Sequence, residues 1–294
     1  MTKPFNPFAI FDEAWEVPED LDEEVVPAPL EVRRNFMPIA EIYWAKDGGP
    51  IRTIIDGAKR VPSGFLPVIK SGFRAMPWDS ALEEQVMQMA DICSRVHYQL
   101  AQPHRLEIRV RGNKGHPLKY FPDVLMKVDP SFLDDLLNEV RFADAVKVPA
   151  RERLRNQEWE TIIIEVKADV DSRDGDERYR TKLEFAKEVY RRRGWHFFEI
   201  RESAHLRSPF VKTARFMDWR KRVAIGEVDF QACRAAFGAK GATTLGRLED
   251  ALGGGNNGRV KAIGLHYRQI VSIDLRNGLT RDAVVYLVQW EDAA

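Results

Sequence analysis

Two carboxylates and a lysine set among apolar residues are the positions of this 294-residue chain best suited to chemistry. Asp123 follows Tyr120-Phe121-Pro122, and Glu165 and Lys167 close the run Ile162-Ile163-Ile164-Glu165-Val166-Lys167. Read as a strand, that run turns Ile162, Ile164 and Val166 to one face and Ile163, Glu165 and Lys167 to the other. A carboxylate and an ammonium on an apolar strand need compensation, because unpaired buried charge is costly. A divalent cation supplies it. Asp123 and Glu165 offer the hard oxygens that Mg²⁺ favours. Lys167 is placed to orient a water or to steady the charge that builds on a phosphate under attack.

Glu-x-Lys alone is common on solvent-facing strands. Joined to Pro122-Asp123 upstream, it resembles the signature of PD-(D/E)xK nucleases. A third carboxylate, Glu83, has two readings. Ser80 and Glu83 have the spacing of a helix capping box, which makes Glu83 structural. Alternatively, a helix packed on the sheet would bring Glu83 to the metal site. Helix mechanics alone favours the cap.

The elements that must hold these residues follow in chain order. Residues 35–69 read as short strands broken by Gly48-Gly49-Pro50 and Pro62-Ser63-Gly64, a small cap on the core. A helix starts at Asp79 or Ser80, with Leu82, Val86, Met89 or Ala90 and Cys93 on one face. The segment 106–111 alternates as a strand, a turn spans Gly112–Pro117, and 118–128 returns as the second strand of a hairpin. Pro122 sets a bend at Asp123. Residues 129–158 read as a helical excursion ending in Arg151, Arg153 and Arg155, which either lie in solvent or touch phosphates. After Lys167 come an acidic loop and a helix with Leu183, Ala186, Val189 and Tyr190 inward, ended by Gly194. Residues 195–200 read as a largely buried strand. Strand, helix, strand makes a βαβ unit, so the fold class is α/β with a mixed sheet flanked by helices. Beyond residue 205 helices are expected over 212–223, 228–237 and 243–252, then a glycine-rich break at 253–258. The segment 259–272 follows, and two strands flank Asn277-Gly278. Helices followed by a hairpin predict a winged-helix-like C-terminal domain.

Composition bounds the rest. A hydrophobic share of 44% and a charged share of 31% describe a soluble globular protein. No apolar run is long enough for a bilayer and no signal segment opens the chain, so no membrane partner and a cytoplasmic location are expected. Cys93 and Cys233 fit neither a disulfide framework nor a zinc site. The zero net charge hides an asymmetry: residues 1–36 carry nine acidic and three basic side chains, and 201–294 carry fifteen basic and ten acidic. Residues 1–36 therefore read as an acidic, flexible leader, 37–204 as the nuclease-like domain, and 205–294 as the winged-helix-like domain.

The ordered set Ser63-Gly64-Phe65, Lys70-x-Gly72-x-Arg74, Ser80-Ala81-Leu82-Glu83, Gln102-Pro103, Tyr120-Phe121-Pro122-Asp123 and Glu165-Val166-Lys167 resembles TnsA, the endonuclease subunit of heteromeric transposases. The resemblance extends over roughly residues 60–290. It implies Glu83, Asp123 and Glu165 as catalytic metal ligands, with the Val166 carbonyl as a further ligand, Lys167 as the catalytic lysine, and Mg²⁺ as cofactor with Mn²⁺ able to substitute. It implies DNA contacts by Lys70, Arg74, Gln102 and Lys182, cleavage at the 5′ ends of a transposon, and two protein partners, a TnsB-like transposase and a TnsC-like AAA+ regulator. The stretch between Asp123 and Glu165 is longer than in that family, and the acidic leader lies outside its core. Two other readings stay open: a stand-alone nuclease of the same fold, and a DNA-binding module whose nuclease-like part is inert.

Overall fold

The isoleucine run is buried on both faces. Ile162, Ile164 and Val166 join one apolar core and Ile163 a second, so a single strand separates two packed layers. The computed structural model describes residues 40–52, 62–109, 117–152, 158–171 and 173–288. The expected leader, the Gly112 turn, Arg153 and Arg155 lie outside the described residues.

The described chain opens with β1 (Ala40–Trp44), the hairpin of β2 (Gly64–Val68) and β3 (Arg74–Trp78), and helix α1 (Ala81–Ile92). Strands β4 (Val96–Ala101), β5 (His104–Ile108), β6 (Leu118–Tyr120) and β7 (Val124–Val128) follow. Helices α2 (Pro130–Leu137) and α3 (Phe142–Ala145) lead to β8 (Glu160–Lys167), α4 (Glu177–Arg192) and β9 (His196–Arg201). The rest comprises α5 (Phe210–Asp218), α6 (Glu227–Phe237), β10 (Ala242–Thr244), α7 (Leu245–Ala251), α8 (Gly255–Tyr267), β11 (Val271–Ile273) and β12 (Val284–Leu287). The fold is mixed α/β. Its central sheet runs β4-β7-β8-β9, antiparallel except for the parallel pair β8 and β9, which α4 connects. A second antiparallel sheet runs β1-β5-β6.

The expected hairpin forms between β5 and β6, but its return strand, expected unbroken over 118–128, divides into β6 and β7, which belong to different sheets. The strand before it, β4, likewise lies in a different sheet from β5. Chain direction shifts at Gln102-Pro103 between β4 and β5, and again at Phe121–Asp123 between β6 and β7. Prolines 103 and 122 have no N–H for a ladder, which stops each strand there. The two corners are stitched together by the Gln102 N–H donating to the Asp123 carbonyl at 2.8 Å. Asp123 therefore stands where two sheets meet.

Three further expectations shift. β9 lies at the edge of the central sheet, and only Ile200 on it is fully buried. Among the described residues the helical excursion consists of α2 and α3, and Arg151 is exposed with its guanidinium 5.7 Å from the Tyr286 ring. The glycine-rich stretch is not a break: α8 begins inside it at Gly255. A Cβ at Gly258 would meet the Glu249 carbonyl oxygen at 2.0 Å, so this glycine is what lets α7 and α8 pack closely. β10, unforeseen, joins β12 and β11 in a small antiparallel sheet in the order β10-β12-β11.

The C-terminal elements share the first core, which runs from Leu66 through Ile162 to Val285. Polar ties reinforce this docking. The Lys221 ammonium, almost fully buried, meets Asp91 of α1 at 2.8 Å and Asp218 at 2.6 Å. Ser94 and Ser272 hydroxyls lie 2.6 Å apart, and Gln269 donates to the carbonyls of Ser94 and Val96.

Candidate active site

Three separate elements bring carboxylates to one cleft of about 560 Å³. The first is the start of α1. Ser80 caps the helix by accepting from the Glu83 N–H, and Glu83 returns the bond: its Oε2 accepts from the Asp79 N–H at 2.9 Å and its Oε1 from the Ser80 hydroxyl at 3.0 Å. Both readings of Glu83 thus describe the same side chain, since the capping carboxylate also lines the cleft. The second is the corner after β6. There Asp123 Oδ2 accepts from the Val166 N–H at 2.7 Å, which aims it at the end of β8. The third is β8 itself, whose period-two alternation turns Glu165 toward the β6 and α4 side.

Glu165 is held on both oxygens. Its Oε2 accepts from the Tyr120 hydroxyl at 2.6 Å, and its Oε1 accepts from the Tyr179 hydroxyl. Burial first, and then the Glu165 charge, pushes both phenols well above their ordinary values, so they act as donors at any accessible pH. Asp123 keeps a partly exposed face, yet protein encloses it. Burial and then the charges of Glu165 and Glu83 raise its pKa well above the carboxylate range, against the Val166 N–H and Arg173. Burial also raises Glu83, with Asp79 and Glu165 adding to it and the two cap hydrogen bonds opposing. The cleft floor is therefore a set of carboxylates that repel one another. Four cations line its rim, Arg52, Lys119, Arg173 and Lys182, and a rim carboxylate, Asp171, pairs with Arg173 at 2.8 Å.

Lys167 departs from expectation. It shares the Glu165 face of β8, but its ammonium lies 2.9 Å from Glu199 and 3.7 Å from Asp174, under the Tyr179 ring at 5.1 Å. Burial would raise Glu199, but Lys167 and Lys187 outweigh it and hold that carboxyl below its usual range. The cations that reach the cleft are others. Lys182 stands over the Tyr179 and Tyr120 rings at 5.0 and 5.9 Å, and burial lowers its pKa. Arg173, half-exposed, lies 3.9 Å from Glu165 and stacks over Tyr179 at 4.8 Å.

Of the four residues expected at DNA, only Lys182 lines the cleft. Lys70 is buried: its ammonium donates to the carbonyls of Ala90 and Cys93 at the end of α1, and burial drives its pKa down to about 8. The reason is local, since the last carbonyls of a helix lack partners and Lys70 supplies them. Gln102 is buried with φ +46°, and its side chain accepts from Arg52 at 2.7 Å, steadying that rim cation. Arg74 reaches the Asp47 carbonyl at 3.2 Å, outside the cleft. Sequence reasoning missed Tyr179, Arg173, Arg52 and Lys119. Tyr179 had a signal, lying one turn before Leu183 on the buried stripe of α4 just after the Asp176 cap.

Carboxylate oxygens pushed together by the fold are suitable donors for a hard divalent cation, and Glu83, Asp123 and Glu165 fit one by chemistry. Among the described residues no three such side chains form a ready ligand group, so the fit lies in the donor set and not in a finished cage. No helix among the described residues is long and apolar enough to cross a membrane. No protein-family model matches the chain, and no curated protein matches it.

Proposed function

We propose that this protein is a metal-dependent DNA endonuclease with a PD-(D/E)xK-type core and a winged-helix-like C-terminal module, working as the TnsA-like subunit of a heteromeric transposase. The observation that carries the reading is the convergence of Glu83, Asp123 and Glu165 from three elements into one cleft with four cations at its rim. The parallel β8–β9 pair joined by α4 suits a nuclease core, and the order α6-β10-α7-α8-β11-β12 with β12 central suits a winged helix.

Glu83, Asp123, Glu165 and the Val166 carbonyl would hold a divalent cation, which would supply Lewis acidity toward a phosphodiester and make water easier to deprotonate. The chain's own groups do the rest. Tyr120 and Tyr179 fix both oxygens of Glu165 and keep it turned to the cleft. Arg173 and Lys182 receive the non-bridging phosphate oxygens and steady the charge that grows on them. Lys167, paired with Glu199, ties β8 to β9 beneath them.

The neutral total charge limits phosphate neutralisation by the molecule as a whole, which favours dependence on a DNA-binding partner. The test is end-labelled transposon-end DNA incubated with Mg²⁺ or Mn²⁺, with the protein alone and with its transposase partner. Cuts mapping to the 5′ ends, only in the partner's presence and lost in Asp123→Ala, support the reading. Equal cutting without a partner assigns a stand-alone nuclease. No cutting under any condition, with DNA binding intact, removes the enzymatic reading.

A further inference from the structure

The outer face of α5 and the turn after it carry a pattern that the cleft does not use. Lys212, Arg215, Phe216, Trp219 and Arg222 recur at spacings of three and four, and all are exposed, Trp219 to 85%. The opposite stripe, Phe210, Ala214, Met217 and Lys221, is buried. A helix normally turns its large apolar residues inward, so two aromatic rings among cations on the wet face call for a ligand. Arg220 lies 3.7 Å over the Phe216 ring and holds it in place. Asp218, the one carboxylate between residues 207 and 222, is taken by Lys221. The stripe's positive charge is therefore not cancelled from within its own element.

The module behind it differs. On α8 and on the turn between β11 and β12, Arg259, Lys261, Arg276 and Arg281 each meet a carboxylate of the same module, at 2.7, 2.6, 2.6 and 3.1 Å. Those four cations are already paired with carboxylates. The position of α5 also suits the cleft. α5 packs against α1, and the Arg215 charge acts on Glu84, the residue after Glu83. From Lys212 to Trp219 the helix rises about 10 Å, roughly the axial run of three phosphates of one strand.

We propose that this stripe binds a DNA strand running on from the candidate active site. Lys212, Arg215 and Arg222 neutralise phosphates, and Trp219 with Phe216 stacks on unpaired bases. The inference rests on the nuclease reading of the cleft. It is tested with the full chain in EDTA, by fluorescence anisotropy on a labelled single strand and on its duplex across a salt series. The variants are Trp219→Ala and the triple Lys212→Gln, Arg215→Gln, Arg222→Gln. Neither touches the core, so unchanged melting temperatures establish that both fold. The triple variant is expected to flatten the slope of log affinity against log salt by about 2 to 3, at about 0.7–0.9 for each lost phosphate contact. Trp219→Ala is expected to weaken the single strand about tenfold and to spare the duplex. Unchanged affinity and slope in the triple variant overturn the proposal, and so does a triple variant that binds DNA normally but loses a polyglutamate peptide. A parallel cleavage assay with the transposase partner present separates the two readings. Stripe variants without effect, beside metal-dependent cutting by the wild type, sink the stripe alone. Absent cutting beside the expected binding losses sinks the nuclease reading alone.

Discussion

Asp123 sits among like charges that the fold brings together, and its raised pKa means that ionising it costs stability at neutral pH. That cost shrinks as pH drops below its folded value and is gone once pH reaches the ordinary carboxylate range, and it falls away entirely when the charge is removed. Asp123→Asn keeps an acceptor for the Val166 N–H, so in EDTA it is expected to raise the melting temperature by about 3 °C or more, while abolishing metal-dependent cutting. A melting temperature equal to or below the wild type's would show that the repulsion is not there. Tyr179 makes the complementary case. Tyr179→Phe keeps the ring that Lys182 and Arg173 stack on but releases one oxygen of Glu165. A loss of about 10- to 100-fold in cleavage rate with little change in melting is expected, the range seen when a partner of a metal ligand is removed. The carboxylates could be read from the sequence because burying charge on an apolar strand is expensive. The roles of the tyrosines could not, since a phenol on a buried strand or on the buried stripe of a helix is as well explained by packing.

At the scale of elements, the start of α1 does two jobs with one residue. Glu83→Gln preserves the acceptor that a capping box needs and is expected to leave stability within about 0.5 kcal/mol of wild type, while Glu83→Ala loses about 1 kcal/mol. Both should stop cleavage, and chemical denaturation beside a cutting assay separates the roles. Cutting retained in Glu83→Gln would leave the cap as its only role. The strand β8 was legible from alternation, and α4 from its apolar spacing and the Gly194 stop. The paired corners at Gln102 and Asp123 were not. Each proline announces a bend, but only the hydrogen bond between the bends, a long-range contact, decides that the two strands leave one sheet for another. For the same reason the short strand β10 and the start of α8 were hidden: a three-residue strand has too little pattern, and Gly258 serves a packing contact with Glu249 that local propensity does not record.

Across the whole molecule, one apolar core carries both the central sheet and the C-terminal helices, so acid stability is a property they share. His104 sits between the two sheets and α4, sharing a hydrogen bond with the Tyr190 hydroxyl at 2.7 Å. Burial, and then Arg193, drives its pKa down to about 3. His266, buried near Lys70, falls to about 4. Both are neutral when folded, and an unfolded chain takes up protons on them first. Their contribution is therefore intact above about pH 6.5 and lost as pH falls toward 3 to 4, with His104 alone worth on the order of 4 kcal/mol. Urea unfolding between pH 7 and 4 should show this decline, and His104→Gln should flatten it. An unchanged slope would mean that His104 is not enclosed as described. Since turnover awaits a partner in this account, metal binding is the most direct test of its central claim that the acidic cleft is a divalent-cation site. Calorimetric titration of the full chain with Mn²⁺ should give saturable binding that Asp123→Asn abolishes and Lys167→Met leaves in place. Absence of binding, or equal binding by wild type and Asp123→Asn, would contradict it.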